Sequence, residues 1–401
     1  MDFINKIEKT ISDFDVFISF IESEKPHLSF KRGELGKKDS FKLNQMLYHR
    51  KDVDKPNFTQ YQYPVIHFMF FLAIHGDLYV KAYEKGRAVL IETSALKEFK
   101  SLNIYERYIY LLQTYWTKYD FETRFGGSYF IDYFYKFFTI LLKSKKPRWF
   151  IEESGFNIYY INSRDPDFFY KMNFFGFGDY KINHDEDVFP KNSIIDFFIN
   201  DFGIYCSRFL IKDAFPVWNN KYKEDFFRQK RRKNIFQNKK NPFDIFKDFF
   251  PGDKVKKTIT YTDEFDRTGA YTFKVSLHSG LWRKIRISHY HYLYDLHMAI
   301  QEAFGFDNDH LYAFYIGGNR KTGKSIYCPE VEEQEGMNSE EATIEELKLF
   351  KGQKLFYLFD FGDMWWFDIK LLSIDKGSPM PPTPIIIDSQ GESPDQYHDW
   401  G

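Results

Sequence analysis

The spacing of apolar residues changes along the chain near residue 250. Before it, apolar side chains recur three and four positions apart, as at Ile104, Tyr108 and Leu111, which is the period of a helix with one buried face. After it, apolar and polar residues tend to alternate, as in Tyr271–Leu277, which is the period of a half-buried strand. The pattern therefore predicts an α+β protein whose N-terminal half is mostly helical.

Residues 63–99 carry the signals of helix, strand, turn, strand and helix in that order. Two short apolar runs flank the turn Glu84-Lys85-Gly86, and helical segments lie on either side. This order is typical of a winged-helix unit, so residues 1–120 are predicted to form a helical, winged-helix-like domain. Such units bind DNA through a helix and a basic hairpin, or they act as protein-docking modules. The candidate nucleic-acid contacts in the hairpin are Lys81, Lys85 and Arg87.

A second helical region is predicted for residues 121–250, and it ends in a basic linker. Its clearest apolar-periodic segments are 129–142 and 193–210, which we interpret as helices. Pro251-Gly252 closes the region and marks the predicted boundary of a third domain, residues 251–401.

The basic linker holds seven positive charges and no acidic residue between positions 228 and 240. Such a run attracts phosphate backbones or an acidic protein surface. A solvated connection between two domains has the same composition, and this simpler interpretation stays open. The candidate nucleic-acid contacts in the linker are Arg228, Lys230, Arg231, Arg232, Lys233, Lys239 and Lys240.

The third domain has the predicted order hairpin, helix, strand, short helix and hairpin, with the helix at Leu293–Phe304, which is close to a β-grasp arrangement. Five blocks of its sequence resemble the plasmid pRiA4b ORF-3-like family, whose domain also occurs on passenger proteins of insertion elements. These blocks are Tyr271–Leu277, Leu281–Ile287, Ala303–Tyr312, Thr343–Leu347 and Leu358–Trp365. The closing segment 384–397 extends the resemblance to about residues 256–401. The resemblance implies a fold and a mobile-element neighbourhood, and it implies no established reaction.

Two of these blocks carry acidic residues and a histidine that neighbouring strands could bring together. Carboxylates and an imidazole can hold a divalent metal, perform acid–base chemistry or recognise a ligand or peptide. The same residues can also cap the ends of a helix and a turn, and we favour this structural interpretation. The members of this candidate cluster are Asp307, Asp309, His310, Asp360 and Asp363.

Two other motifs give weaker indications of a functional site. Gly318–Ser325 reads G-x-x-x-x-G-K-S, the sequence of a phosphate-binding loop, but Pro329 interrupts the helix that such a loop requires. His289 and His291, with His297 close by, lack an acid or cysteine partner at ligand spacing and are predicted to be surface residues. The sequence therefore predicts no cofactor and no metal.

Charge is divided unevenly over a chain of 401 residues whose net charge is −1. Residues 1–250 hold 40 basic and 33 acidic side chains, whereas residues 251–401 hold 16 basic and 24 acidic ones. The basic half suits phosphate or an acidic surface, and the acidic half suits a basic partner.

The sequence gives no sign of a membrane partner. The longest apolar run, residues 65–74, is about half a membrane span and is interrupted by His67. Met1–Lys9 is charged and lacks the apolar core of a secretory signal. Cys206 and Cys328 fit no multi-cysteine zinc site and suit a reducing compartment. We therefore expect a cytoplasmic protein.

Binding is favoured over catalysis, and three hypotheses remain. The first is a mobile-element or defence-linked accessory protein that binds or regulates nucleic acid through the basic linker and the hairpin. The second is a protein-interaction adaptor that docks a partner on its acidic C-terminal face and an edge strand. The third is a metal-dependent enzyme that uses the Asp/His cluster.

Overall fold

The structure is a computed structural model of the 401-residue chain. The residues that it describes are all those outside the ranges 1–2, 30–32, 85–86, 126–127, 144–146, 150–157, 184–193, 221–222, 224–240, 260–266, 317–323, 332–337 and 398–401. Helices and strands are both abundant in this part of the chain, which confirms the predicted α+β class.

The chain forms two compact units. The first unit comprises Met1–Lys25, Gly36–Val80 and Glu92–Thr262. The second comprises Pro26–Leu35, Lys81–Ile91 and Asp263–Gly401. Most of the predicted hairpin therefore groups with the C-terminal part of the chain, while the predicted boundaries after residues 120 and 250 stay predictions.

The first unit is mainly helical. Its helices are α1 (Ile4–Glu24), α2 (Lys37–Met46), α3 (Pro64–His75), α4 (Ser94–Ser101), α5 (Ile104–Lys118), α6 (Phe121–Phe125), α7 (Ser128–Lys143), α8 (Tyr159–Asn162), α9 (Phe168–Phe174), α10 (Asp201–Lys212) and α11 (Pro242–Phe246). A short sheet in this unit has the order β3-β5-β4, formed by β3 (Arg148–Trp149), β4 (Gly178–Ile182) and β5 (Ile194–Ile199). The strands β1 (Tyr79–Glu84) and β2 (Arg87–Glu92) form a separate hairpin.

Helix α5 shows why the helical period was informative. Asn103 accepts hydrogen bonds from the amides of Tyr105 and Glu106, and the Glu106 carboxylate accepts one from the Asn103 amide at 2.9 Å. This capping box satisfies donors that the first turn of a helix leaves without partners. The apolar stripe that includes Tyr108 and Leu111 is buried below it.

The predicted helix over 193–210 is wrong in its first part. Ile194–Ile199 forms strand β5, which pairs antiparallel with both β3 and β4. A turn at Asn200 then starts α10, and the Asn200 side chain accepts a hydrogen bond from the Gly203 amide at 2.9 Å. A short run of isoleucine and phenylalanine suits a buried strand and a buried helix equally well, so sheet pairing decided its conformation.

The second unit is built around an antiparallel sheet. Its strands are β6 (Ala270–His278), β7 (Leu281–Ser288), β8 (Tyr312–Ile316), β9 (Lys324–Tyr327), β10 (Lys354–Phe359), β11 (Trp365–Asp375) and β12 (Ile385–Gln390). They lie in the order β12-β7-β6-β11-β10-β8-β9, so β12 forms one edge of the sheet. The winged-helix and β-grasp labels stay predictions.

Helix α12 (Leu293–Phe304) completes the core of the second unit and has the predicted bounds. Three of its apolar side chains are fully buried together with side chains of the sheet, and the cluster includes Leu293, Leu296, Ile300, Phe273, Ile285 and Phe367. Among the described residues, no helix is long and apolar enough to cross a membrane.

Candidate functional site

The predicted acidic cluster lies at one end of the sheet, where α12 leads into β8 and β10 turns into β11. Asp360 occupies this turn with a left-handed backbone, φ 56°. Its Oδ1 accepts a hydrogen bond from the Gly362 amide at 2.7 Å, and its carbonyl accepts one from the Met364 amide at 2.8 Å. Asp360 therefore shapes the turn through its backbone and one carboxylate oxygen.

His310 lies between two of the predicted carboxylates. Its Nε2 is 3.5 Å from Asp360 Oδ2 and 3.6 Å from Asp309 Oδ1. These distances allow ion pairing and exceed those of good hydrogen bonds. The ring also packs edge-on against Phe359, with the centroids 5.9 Å apart. The structure thus brings Asp309, His310 and Asp360 together.

The C-terminal tail closes over the other side of Asp309. The Gln396 side chain accepts from the Asp307 amide at 2.5 Å and donates to Asp309 Oδ1 at 3.0 Å. The Tyr397 hydroxyl donates to Asp309 Oδ2. This hydrogen bond lowers the pKa of Asp309 and raises the pKa of Tyr397 to about 12.

The geometry of the cluster favours a structural role. Asp309 and Asp360 already accept hydrogen bonds from the tail and the turn, and Asp363 is exposed. In the part of the chain that the structure describes, no group of three or more His, Cys, Asp and Glu side chains could hold a metal ion. The arrangement therefore lends no support to metal-dependent catalysis.

The predicted basic contacts divide into described and undescribed residues. Arg87 is exposed, and its Nη1 donates to His27 Nε2 at 2.7 Å. Lys81 is half-buried, and burial lowers its pKa to about 8. The remaining candidates lie outside the described residues, namely Lys85, Arg228, Lys230, Arg231, Arg232, Lys233, Lys239 and Lys240.

The phosphate-loop sequence does not lead into a helix. Lys324 begins strand β9, where it pairs antiparallel with Ile316 of β8. A phosphate-binding loop needs the free amides of a following helix, and strand β9 follows here instead. Its residues 318–323 lie outside the described residues.

Two of the histidines predicted at the surface are in fact buried. His291 Nδ1 accepts from the Ser288 amide at 3.2 Å, and its Nε2 donates to the Pro382 carbonyl at 3.0 Å. His297 is fully buried on α12 and stacks on the Tyr312 ring, with the centroids 3.7 Å apart. Each imidazole forms hydrogen bonds within the second unit, and these replace the hydrogen bonds to water that burial removes.

A feature that the sequence analysis missed is the exposed edge strand β12. Its three isoleucines are 45%, 42% and 46% exposed at positions Ile385, Ile386 and Ile387. The strand pairs with β7 on one side, and no described strand pairs with its other side. A row of apolar side chains at an open strand edge is unusual, because edges are normally protected by charges or proline.

Strand β12 is held firmly by its C-terminal half. Lys284 donates to Asp388 at 2.8 Å, and Trp282 Nε1 donates to Gln390 Oε1 at 2.7 Å. The buried Arg283 donates from Nη1 to the Gln390 carbonyl at 3.0 Å and from Nε to the Ala303 carbonyl at 2.7 Å. Arg283 therefore ties the end of β12 to the end of helix α12.

Comparison with known proteins gives a family match for the C-terminal region alone. Residues 269–398 match the family model described as plasmid pRiA4b ORF-3-like protein, which confirms the resemblance found in this region. The crystal structure of a protein of unknown function from Methanosarcina mazei Go1 is 25% identical, over 30% of this chain and 69% of that chain, with a TM-score of 0.24. No curated protein matches the chain.

Proposed function

We propose, from the family match of residues 269–398, that the chain is a cytoplasmic accessory protein of a mobile-element or defence-linked system. We further propose that its second unit is an adaptor that binds another protein. The plasmid origin in the family's description supports the mobile-element setting. The open edge of β12, with its three exposed isoleucines, is the observation that carries the adaptor proposal.

Strand addition is the binding mode that this edge suits. An extended segment of a partner would hydrogen-bond to the unpaired backbone edge, and its side chains would cover the isoleucines. Covering apolar surface contributes about 25 cal/mol for each Å² removed from water. The anchoring of β12 by Lys284, Trp282 and Arg283 supports this mode, because a fixed strand loses little conformational freedom on binding.

Charge narrows the choice of partner. The C-terminal region from residue 251 carries 16 basic and 24 acidic side chains, so it favours a segment with basic and apolar residues. The partner that we propose is therefore a protein with a basic, extended segment, encoded beside this chain on the mobile element.

The test compares one variant at the edge with one elsewhere. Ile386→Lys places a charge on the β12 edge, whereas Ile195→Lys makes the same change at an isoleucine of β5 that is 38% exposed. Purified products of the neighbouring genes are titrated against each full-length protein. We expect Ile386→Lys to weaken binding by about tenfold or more, and Ile195→Lys to leave it unchanged.

Hydrogen exchange gives the second readout. Amides of β12 should become protected when the partner binds to the wild-type chain. Equal affinities of the two lysine variants, or unchanged exchange in β12, would contradict strand addition. Binding of DNA or RNA at about 50 mM salt, without binding of any neighbouring gene product, would favour the nucleic-acid alternative instead.

A further inference from the structure

Helix α12 packs on one face of the sheet in the second unit, and the opposite face carries basic and aromatic side chains. Side chains alternate between the two faces along a strand. Phe273 and Val275 of β6 belong to the core with α12, so Lys274 between them lies on the opposite face. Strands β7, β8, β9, β10 and β11 alternate between core and opposite face in the same way. We call the face that carries Lys274 the outer face.

Four lysines lie side by side in a row across the outer face. Lys274 of β6 is the direct cross-strand partner of Lys284 of β7 and of Lys370 of β11. Lys370 is in turn the partner of Lys354 of β10. Neighbouring strands lie about 4.8 Å apart, so the row spans about 14 Å at right angles to the strands. None of the four side chains is buried in the full chain, so the row is accessible to a ligand.

The lysine row is unfavourable by itself, because like charges on directly opposite residues of a sheet repel. At one end of the row, Lys284 donates to Asp388 at 2.8 Å. At the other end, Lys354 Nζ lies 3.9 Å from Asp368 Oδ2, which is longer than a hydrogen bond. The row also opposes the charge balance of residues 251–401, which hold 16 basic and 24 acidic side chains. A linear polyanion laid across the strands would offset the repulsion.

Partly exposed aromatic side chains lie beside the row on the same face. Tyr315 of β8 pairs with the residue two positions after Lys354, and its ring contacts the Trp366 ring with the centroids 5.3 Å apart. Tyr327 of β9 packs edge-on against Phe361, which is 38% exposed, with the centroids 6.3 Å apart. Proteins bind single-stranded nucleic acid by pairing cations with phosphates and stacking bases on aromatic rings. The outer face presents both of these elements together.

We propose that the outer face of this sheet binds single-stranded nucleic acid. The lysine row contacts successive phosphates, and bases stack on Tyr315 and Trp366. A single strand fits better than a duplex, whose bases are stacked inside, and better than an acidic protein segment, which has no bases to stack. The proposal does not rest on the adaptor function, because the oligonucleotide and the partner protein are titrated separately and either result can fail alone.

The first experiment titrates a labelled oligothymidylate with the full-length chain at about 50 and 200 mM salt. Changing Lys274 and Lys370 together to Gln should weaken binding at the lower salt by about tenfold or more. It should also flatten the salt slope by roughly 1.4, which is about 0.7 for each lost phosphate contact. The control changes Lys348 and Lys376 to Gln, two exposed lysines of the same unit that lie outside the strands, and should bind like the wild type. All of these chains keep the basic linker, so their differences report on the sheet alone.

Arginine variants separate loss of charge from altered packing. Lys274 lies over the Trp282 ring, with Nζ 4.5 Å from the ring centroid, so the glutamine pair changes this contact as well. Changing Lys274 and Lys370 to Arg keeps both charges and the contact with the ring, and it should retain the affinity of the wild type. Thermal melting of each variant checks that it is folded.

Tyr315→Leu tests the stacking surface. It removes an aromatic ring and keeps an apolar side chain, and it should weaken binding of oligothymidylate by about fivefold or more. Tyr315→Phe keeps the ring and should bind like the wild type. Oligouridylate of the same length distinguishes the two sources of the strand: tighter binding than oligothymidylate indicates RNA, and weaker binding indicates DNA. Either order supports the proposal, provided that the glutamine pair weakens both.

Polyglutamate of equal charge represents an acidic protein segment. We expect the wild-type chain to bind it more weakly than oligothymidylate, because only the nucleic acid can stack. The proposal is overturned if the glutamine pair at Lys274 and Lys370 binds oligothymidylate as tightly as the control pair does. It is also overturned if polyglutamate binds as tightly as the oligonucleotide and Tyr315→Leu changes neither affinity, since the outer face would then fit an acidic protein.

Discussion

The imidazole of His297 is enclosed by the core of the second unit and is neutral there. Its Nδ1 accepts from the Tyr357 hydroxyl at 2.6 Å, and its Nε2 donates to Asn308 Oδ1 at 2.7 Å. Gln301 in turn donates to the Tyr357 hydroxyl at 2.7 Å. Burial lowers the pKa of His297 to about 4, so protonation of this ring is tied to unfolding.

This coupling predicts a pH-dependent stability. The pKa of His297 falls from 6.5 in an unfolded chain to about 4 in the folded protein, so its contribution is present above pH 6.5 and is lost as the pH falls toward 4. The loss should be about 3 kcal/mol. His297→Gln should remove this part of the pH dependence in urea unfolding, whereas His278→Gln, at an exposed histidine, should retain it. Identical pH profiles for wild type and His297→Gln would contradict the prediction.

Single residues differ in how far the sequence reveals them. His297 lies four positions after Leu293 and seven before Phe304, on the buried stripe of a helix that the period predicted. Its burial could therefore have been inferred. Asp309 is different, since its tail partner Gln396 is 87 positions away, and no local pattern reports such a contact.

At the scale of elements, the turn that follows β12 requires a glycine. Gly391 has φ 81°, and a Cβ placed there would lie 2.5 Å from the Gly280 carbonyl oxygen. Only glycine adopts this conformation at such a close approach without strain. The Gly391 carbonyl also accepts from Arg283 Nη1 at 3.2 Å, so the turn is part of the anchoring of β12.

Gly391→Ala should destabilise the second unit by about 1–3 kcal/mol, because it strains the backbone and forces apart two turns. The measurement is the free energy of unfolding in urea. Gly377→Ala is the matched control, since its Cβ would meet nothing nearer than Asp375 Oδ1 at 3.8 Å. Equal free energies of unfolding for the two variants would show that the turn can adapt.

Strands whose pattern repeats along a hairpin were predictable, whereas β12 and β5 were not. Strands β6, β7 and β11 alternate over enough residues for the period of two to stand out. Strand β12 is short, follows a proline-rich stretch and is exposed along its whole length, so no buried face marks it. Strand β5 has a continuous apolar run, which does not distinguish a strand from a helix.

Across the whole molecule, the two halves of the sequence carry opposite net charge. The basic run 228–240 contributes seven positive charges to the first 250 residues, and it is the strongest remaining support for nucleic-acid binding. Its effect can be measured without a specific target, because phosphate contacts release counterions and make binding depend on salt.

Changing Arg231, Arg232 and Lys233 to Glu should flatten the salt slope of nucleic-acid binding by roughly 0.7–0.9 for each lost contact. The control changes Lys37, Lys38 and Lys55 to Glu, which alters net charge equally at exposed positions. A fluorescence titration at two salt concentrations compares the two variants. Equal slopes would indicate a general charge effect, and a wild-type chain that binds neither DNA nor RNA at about 50 mM salt would exclude the nucleic-acid hypothesis.

The open edge of β12 also predicts that the protein aggregates when it is overproduced. An unprotected strand edge pairs with another copy of itself when nothing else covers it. In the proposed adaptor, copies made in excess of the partner would therefore pair with one another and aggregate. We therefore expect this protein and its proposed partner to be produced in matching amounts, as happens when neighbouring genes share one transcript.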